Sequence, residues 1–337
     1  MTTGSPPRVL VTRRLPGFAI DRIRERFELD HHDSDLRLPR QDLLRRVRRA
    51  KGALVTSSDR IDDGFLDAAG PSLRVVSSVG VGYDHIDVPA CTARSVLVGN
   101  TPDVLTEATA ELTWALILSA ARRVGEGDRL IRRGDRWPAG LAGMLGMGLE
   151  GKVLGIVGLG RIGRAVARRG RAFGMRIVYH NRRRAPTEVE EELSAEYLPL
   201  DGLLAKADVV TIHTSLSDET RHLIDADRLA LMKPTAVFVN ASRGAVVDEA
   251  ALVEALRSGR IFAAGLDVYE KEPKVHPGLI DLENVVLAPH VGSATIETRT
   301  AMADLAAENL IEGVEGRRPP CLVNPEAWEA WTRGNSG

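Results

Sequence analysis

The stretch Gly155–Gly163 (GIVGLGRIG) decides the fold of this chain, because an apolar strand runs directly into a glycine-rich turn. In a G-x-G-x-x-G pattern the first glycine allows a tight turn, the second lets the backbone approach a pyrophosphate, and the third lets the next helix pack closely. These glycines are Gly158, Gly160 and Gly163. The amides of Arg161 and Ile162 would then open a helix, whose N-terminus attracts phosphate. The stretch therefore predicts a dinucleotide-binding site.

Short apolar strands alternate with helices on both sides of this stretch, which is typical of parallel sheets covered by helices. Strands are predicted at Arg8–Thr12, Gly52–Thr56, Leu73–Ser77, Lys152–Gly158, Arg176–His180, Val209–His213, Ala236–Asn240, Phe262–Leu266 and Val285–Ala288. Helices are predicted at Ile20–Phe27, Leu105–Arg122, Ile162–Phe173, Leu200–Lys206, Glu249–Ser258 and Thr295–Glu312. The pattern predicts an α/β protein with two doubly wound domains, the second with a sheet of about six strands.

Composition excludes several classes of protein. The chain of 337 residues is long enough for two domains, and its 45 basic and 46 acidic side chains nearly cancel. We therefore expect no nucleic-acid partner and no membrane surface as partner. The two cysteines, Cys91 and Cys321, have no metal-type spacing, which favours a reducing compartment and a cytoplasmic location. The segment before Pro7 is predicted to be a short disordered leader without a signal peptide.

The residue at the end of the next predicted strand, Arg176–His180, indicates which dinucleotide binds. An Asp or Glu about 20 residues after the glycines would bind a ribose 2′-hydroxyl. Here Asn181 lies at that position and is followed by Arg182, Arg183 and Arg184. An Asn and an Arg fork would accept a 2′-phosphate, so the sequence predicts NADP. The alternative is a solvated arginine loop that also allows NAD to bind.

Three polar side chains follow predicted strands at the edge where ligands bind in open α/β sheets. They are Arg243, Glu272 and His290. An Arg can bind the carboxylate of a 2-keto acid in a bidentate way, and a His can protonate the alkoxide that hydride delivery creates. A carboxylate beside that His would stabilise the imidazolium. Each residue alone is as readily a surface or structural one, so only their joint occurrence predicts reduction of a 2-keto acid.

The sequence resembles the D-2-hydroxyacid dehydrogenase family, and within it most closely the glyoxylate/hydroxypyruvate reductases. The resemblance covers roughly residues 8–325. It is carried by the motifs Ser77–Asp87, Asn100–Glu111, Gly155–Gly163, Asn240–Glu249, Ala263–Pro273 and Ala288–Thr295. In that family the Arg, Glu and His of the last three motifs are catalytic, and they match the residues identified above.

The resemblance implies further assignments. A flavodoxin-like substrate domain, residues 1–100 and 293–337, would carry an inserted Rossmann cofactor domain, residues 101–292. Backbone amides at Val79 and Gly80 would hold the substrate carboxylate. The further cofactor contacts would be Thr106, His213, Thr214, Ala241, Ser242, Asp267 and Gly292. Family members are usually homodimers and need no metal, and their products have the D configuration.

Two other classes of dehydrogenase do not fit the motifs of this sequence. Formate dehydrogenases pair the active-site His with Gln, which Glu272 contradicts. Short-chain dehydrogenases need Tyr-x-x-x-Lys, and none of the four tyrosines has Lys four residues later. Phosphite or phosphoglycerate oxidation remains open, as does a non-catalytic corepressor that senses the dinucleotide. The particular 2-keto acid is not determined by the motifs.

Overall fold

A computed structural model of the chain describes residues 5–137 and 140–334. Residues 1–4 of the predicted leader lie outside the described residues. The chain divides into two compact units, residues 1–105 with 293–337 and residues 106–292.

The first part of the chain alternates strictly between strand and helix. Its elements are β1 (Arg8–Val11), α1 (Ala19–Arg24), β2 (Glu28–His31), α2 (Arg40–Arg46), β3 (Gly52–Val55), α3 (Asp63–Ala69), β4 (Val75–Ser78), α4 (Val88–Ala93) and β5 (Leu97–Gly99). The strands form a parallel sheet in the order β2-β1-β3-β4-β5. This order is that of flavodoxin-like doubly wound folds, as predicted.

The inserted unit begins with a long helix and continues as a second alternating series. Its elements are α5 (Thr106–Ala121), α6 (Val124–Arg132), β6 (Val153–Val157), α7 (Arg161–Ala172), β7 (Arg176–His180), α8 (Thr187–Leu193), β8 (Ala195–Tyr197), α9 (Leu200–Lys206), β9 (Val209–Ile212), α10 (Ala226–Leu231), β10 (Val237–Asn240), α11 (Glu249–Arg257), β11 (Ala263–Leu266), α12 (Pro277–Ile280) and β12 (Val285–Leu287).

The sheet of this unit is parallel throughout and has the order β12-β11-β10-β9-β6-β7-β8. Counted from β6, the order is that of the Rossmann fold: β7 and β8 are added on one side of β6, and β9 to β12 on the other. One face packs against α5 and α7 and the other against α9, α10 and α11. All residues of β6 are buried because both faces are covered, which explains its unbroken apolar sequence.

The chain then returns to the first unit through α13 (Ile296–Val314) and α14 (Pro325–Gly334). Helix α13 packs against β3, β4 and β5. Close packing needs a glycine at Gly313, where a Cβ atom would lie 2.7 Å from Val75. The predicted helix near the C-terminus has no strand of its own after it because it covers a sheet made early in the chain.

The predicted elements are present, with ends that differ by a few residues. The structure adds β8, which extends the second sheet beyond the six predicted strands. This edge strand has only three residues, AEY, too few to produce an alternating pattern. No helix within the described ranges is long and apolar enough to cross a bilayer.

Candidate active site

Most of the predicted site residues in the unit of residues 106–292 lie just after the carboxyl ends of its parallel strands. The glycine turn follows β6, Asn181 follows β7, and His213 with Thr214 follows β9. Arg243 follows β10, while Asp267 begins the segment after β11. Because the carboxyl ends of parallel strands share one edge of a sheet, this edge is the candidate active site.

The glycine turn has the geometry that its sequence predicts. Gly158 has a φ of +104°, and a Cβ there would lie 2.6 Å from the carbonyl carbon of His213. At Gly163 a Cβ would lie 2.2 Å from the Gly158 carbonyl oxygen, so only glycine lets α7 approach β6.

Gly160 differs from these two glycines, because no protein atom lies within 4 Å of its ideal Cβ position. It is the N-cap of α7 and provides no side-chain cap, so the first amides of this twelve-residue helix have no acceptor within the helix itself. An anionic group such as a pyrophosphate fits such a cradle in both shape and charge. The residues present therefore fit a dinucleotide.

The segment after β7 combines a structural asparagine with exposed arginines. The side-chain oxygen of Asn181 accepts a hydrogen bond from the Leu159 amide at 2.6 Å, which fixes the glycine turn. The Nη1 atom of Arg182 lies 2.8 Å from Glu219 Oε2, and the Nε atom of Arg184 lies 2.8 Å from Glu190 Oε1. Arg183 is exposed. The predicted phosphate-binding arginines are present, and one of them has a carboxylate neighbour that the sequence did not reveal.

His213 closes the other side of the glycine turn. Burial lowers the pKa of His213 to about 4, so its imidazole is neutral near pH 7. Its Nε2 lies 3.0 Å from the Thr211 hydroxyl. A neutral imidazole beside the turn suits an apolar ligand surface better than an imidazolium would. This agrees with the predicted position of His213 beside adenosine.

The loop that carries Arg243 is organised by Asn240. The buried Asn240 side chain accepts hydrogen bonds from the amide and hydroxyl of Ser242 and donates one to the carbonyl of Arg243. The Arg243 guanidinium also donates to the Ser242 carbonyl at 2.8 Å. Ala241 and Ser242 are half-buried in this loop. The loop is therefore preorganised, with Arg243 at its tip.

Glu272 and His290 form a direct pair. The Nδ1 atom of His290 lies 2.7 Å from Glu272 Oε2, and both side chains are about one third exposed, 38% and 34%. The other carboxylate oxygen accepts the Tyr269 amide at 3.0 Å. Burial by itself would raise the pKa of Glu272, but the hydrogen bond and charge of His290 and the charge of Arg243 hold it below its ordinary value. The electrostatics therefore couple all three predicted catalytic residues.

Asp267 fixes the backbone that presents His290. It is 1% exposed, and its two carboxylate oxygens accept the amides of Val291 and Gly292 at 2.7 and 2.8 Å. Its own carbonyl accepts the His290 amide at 2.9 Å. These bonds hold His290 at a φ of +55°, which is unusual for a residue with a side chain. Burial raises the pKa of Asp267, although the two amides oppose this shift.

Sequence reasoning missed two residues that support this edge. His222 donates its amide to the Ala245 carbonyl at 2.9 Å, and its Nε2 lies 3.0 Å from Glu270. Glu249 is nearly buried, and burial raises its pKa, while the Glu270 backbone opposes this shift. Both residues brace the Arg243 loop and the segment before Glu272. Their sequence neighbours gave no signal, because each acts on a loop distant along the chain.

Two other predicted contacts can be placed within their own units. Thr106 is the first residue of α5. In the first unit, the Val79 amide donates to the Val55 carbonyl at 2.9 Å and the Gly80 amide to the Ser78 carbonyl at 3.1 Å. Both amides thus already have protein acceptors, and their role toward a substrate carboxylate stays a prediction. No cluster of three metal-ligating side chains occurs in the part of the chain that the structure describes.

Known proteins resemble this chain in sequence and structure. Residues 114–292 match the family model of the D-isomer specific 2-hydroxyacid dehydrogenase NAD-binding domain. A glyoxylate reductase of Thermococcus onnurineus is 49% identical over 95% of this chain and 96% of its own, and one of Aeropyrum pernix is 51% identical with the same coverage. The structure of an NADPH-dependent glyoxylate/hydroxypyruvate reductase of Sinorhizobium meliloti, in complex with NADP and malonate, has a TM-score of 0.82, 36% identity, and coverage of 96% and 98%.

Proposed function

Because this chain belongs to the D-isomer specific 2-hydroxyacid dehydrogenase family, we propose that it uses NADPH to reduce glyoxylate or hydroxypyruvate to the 2-hydroxy acid, which for hydroxypyruvate is the D isomer. The coarser reaction is that of the family: an NAD(P)-dependent 2-hydroxyacid dehydrogenase reduces a 2-keto acid. The choice of acid is supported by the relatives named glyoxylate reductase, and by the Sinorhizobium meliloti structure named for glyoxylate and hydroxypyruvate.

One observation carries the catalytic part of the proposal: the His290–Glu272 pair at 2.7 Å, with the charge of Arg243 acting on the same carboxylate. A carboxylate next to imidazole stabilises the imidazolium form and fixes the ring. Because Nδ1 faces Glu272, Nε2 is the nitrogen that gives its proton to the substrate oxygen. Arg243 binds the substrate carboxylate through its planar fork.

A dinucleotide held by the Gly158–Gly163 turn would supply the hydride to the carbonyl carbon. His290 gives a proton to the carbonyl oxygen as charge develops there, and Glu272 compensates the positive charge on the ring before transfer. Arg243 holds the carboxylate throughout, so the carbonyl carbon stays oriented. The product is the 2-hydroxy acid, and His290 is left neutral until it takes a proton from water.

The cofactor part of the proposal assigns the 2′-phosphate to Arg182 and Arg183, with Asn181 beside them. The pyrophosphate is assigned to the turn of Gly158, Gly160 and Gly163 and the amides of Arg161 and Ile162. We assign residues 101–292 to cofactor binding and residues 1–100 and 293–337 to substrate binding. The homodimeric state and the cytoplasmic location stay predictions.

The testing experiment follows NADPH and NADH oxidation by absorbance with glyoxylate, hydroxypyruvate, pyruvate and phenylpyruvate. We expect higher kcat/KM with NADPH and with the first two acids. His290→Gln should lower kcat by roughly 10²–10⁴-fold with little change in the Kd of NADPH. Arg182→Gln should raise the KM for NADPH and leave that for NADH unchanged.

Several results would contradict the proposal. A clear preference for NADH would reject the cofactor assignment, and activity on bulky acids alone would change the substrate. Tight NADPH binding without turnover of any 2-keto acid would favour the corepressor function. Full activity of His290→Gln would remove the assigned proton donor.

A further inference from the structure

The neighbour of Arg182 bears on how this protein distinguishes two cofactors. The Nη1 atom of Arg182 donates to Glu219 Oε2 at 2.8 Å, and the residues lie 37 positions apart in the sequence. Arg182 follows β7, whereas Glu219 lies in the segment that follows β9. Both strands end at the edge where the cofactor is proposed to bind. A carboxylate therefore lies beside an arginine that was assigned to the 2′-phosphate.

The segment that carries Glu219 is held in place by its own turn. The Thr220 hydroxyl accepts the Ser217 amide at 2.8 Å and donates to the Ser215 carbonyl at 2.7 Å. The Ser217 carbonyl in turn accepts the amides of Thr220 and Arg221. Glu219 is thus on an ordered turn, and its position toward Arg182 follows from the backbone rather than from the ion pair alone.

Arg184, the other arginine of this run with a carboxylate partner, is anchored more firmly than Arg182. Arg184 binds both oxygens of Glu190, and the hydrogen bonds of Glu190 with Arg184 and with Tyr179 lower its pKa to about 2. The Arg182–Glu219 pair is more open, with side chains 80% and 70% exposed. An exposed pair of this kind is weak and exchangeable. Arg182 is therefore the arginine whose partner a ligand can replace.

We propose that Glu219 competes with the 2′-phosphate of NADPH for Arg182 and so sets how strongly the enzyme prefers NADPH over NADH. This inference rests on the proposed assignment of the 2′-phosphate to Arg182. A phosphate that reaches the guanidinium either displaces Glu219 or lies beside a second anion, and both cost binding free energy. NADH has no 2′-phosphate and meets neither cost.

The expected effect is a gain of binding in a variant. Glu219→Gln keeps the size of the side chain and one acceptor oxygen but removes its charge. Because exposed ion pairs shift equilibria by at most about fivefold, we expect the Kd of NADPH to fall by about three- to fivefold and that of NADH to stay the same. Salt screens exposed charges, so the gain should shrink at high ionic strength. A folding defect cannot mimic tighter binding.

The experiment measures the Kd of NADPH and NADH by calorimetry for the whole chain. The matched control is Glu196→Gln, since Glu196 forms an exposed pair with Lys206 at 2.6 Å in the same unit. This control should leave both constants unchanged. In an Arg182→Gln background, Glu219→Gln should lose most of its effect, because there is no guanidinium left to release.

The outcomes separate the two proposals. If Arg182→Gln weakens NADPH binding but Glu219→Gln brings no gain, the competition is rejected and the cofactor assignment stands. An equal gain with and without Arg182 would mean plain charge repulsion and would also reject competition. If Arg182→Gln leaves NADPH binding unchanged, Arg182 does not hold the phosphate, and both proposals fall.

Discussion

At the residue scale, the proposed chemistry depends on how one carboxylate is placed. Glu272 binds His290 through one carboxylate oxygen and accepts the Tyr269 amide with the other. With both oxygens bound, the carboxylate group cannot rotate freely. The charges of His290 and Arg243 keep Glu272 ionised in spite of its partial burial. A carboxylate fixed in this way holds the imidazole ring at one angle and places a negative charge beside Nδ1.

Glu272→Gln tests this placement through pH. The amide keeps the shape but not the charge, so kcat should fall by at least about tenfold. Because the folded protein lowers the pKa of Glu272, its stabilising contribution is present above the ordinary carboxyl pKa and disappears as pH falls through the lowered value. The unfolding free energies of wild type and variant should therefore differ by a constant amount above about pH 5 and converge below it.

Unfolding in urea at a series of pH values and steady-state rates over the same range provide the measurement. A difference between the two proteins that grows on acidification would contradict the assigned direction of the pKa. An unchanged kcat would show that the charge of Glu272 does not assist the proton transfer.

At the element scale, the junction of β6 and α7 separates two uses of glycine. Gly163 is needed for packing, because its Cβ would lie 2.2 Å from the Gly158 carbonyl oxygen. Gly160 has no neighbour within 4 Å of its Cβ position and an ordinary φ of −81°. The same pattern of glycines therefore contains one position that the fold requires and one that only a ligand would require.

The pair Gly163→Ala and Gly160→Ala makes this distinction measurable. Gly163→Ala should force α7 away from β6 and destabilise the protein by about 1–3 kcal/mol. Gly160→Ala should leave the Tm within about 1 °C of wild type but weaken NADPH binding by tenfold or more, roughly the cost of moving a pyrophosphate off its amides. Thermal unfolding and NADPH titration of both variants test this, and unchanged NADPH binding in Gly160→Ala would contradict the assigned cradle.

At the scale of the whole molecule, the two ends of the chain build one unit. Helix α13, near the C-terminus, covers β3, β4 and β5, which form early in the sequence. Leu310 lies in the core between them and is 0% exposed, whereas Ile296 on the same helix is 82% exposed. Formation of this core requires that the last part of the chain return over the first.

Leu310→Ala should therefore lower the free energy of opening by about 2–5 kcal/mol, the usual cost of a large cavity. Native-state hydrogen exchange at the amides of β3 and β4 measures that free energy for this unit directly. The control Ile296→Ala should change it by less than about 0.5 kcal/mol. Equal effects of the two substitutions would mean that α13 does not form the core of this unit.

Much of the fold could be predicted because its signals are local. The buried strand β6, the glycine spacing and the periodicity of α5 each lie within one short segment, and the backbone responds to such segments directly. The candidate catalytic residues were found in the same way, since each follows a recognisable strand. The edge strand β8 gave no such signal, because its three residues, AEY, contain a glutamate and form no apolar run.

The sequence by itself determined the doubly wound fold class, and it predicted the phosphate turn and the candidate catalytic residues Arg243, Glu272 and His290. Only the tertiary structure decided that Asp267 holds the backbone beyond His290, that His222 braces Glu270, and that Glu219 lies against Arg182. The physical reason is the range of the interactions. Apolar periodicity and glycine freedom act along a few residues, whereas these polar contacts join residues that only the folded sheet brings to one edge.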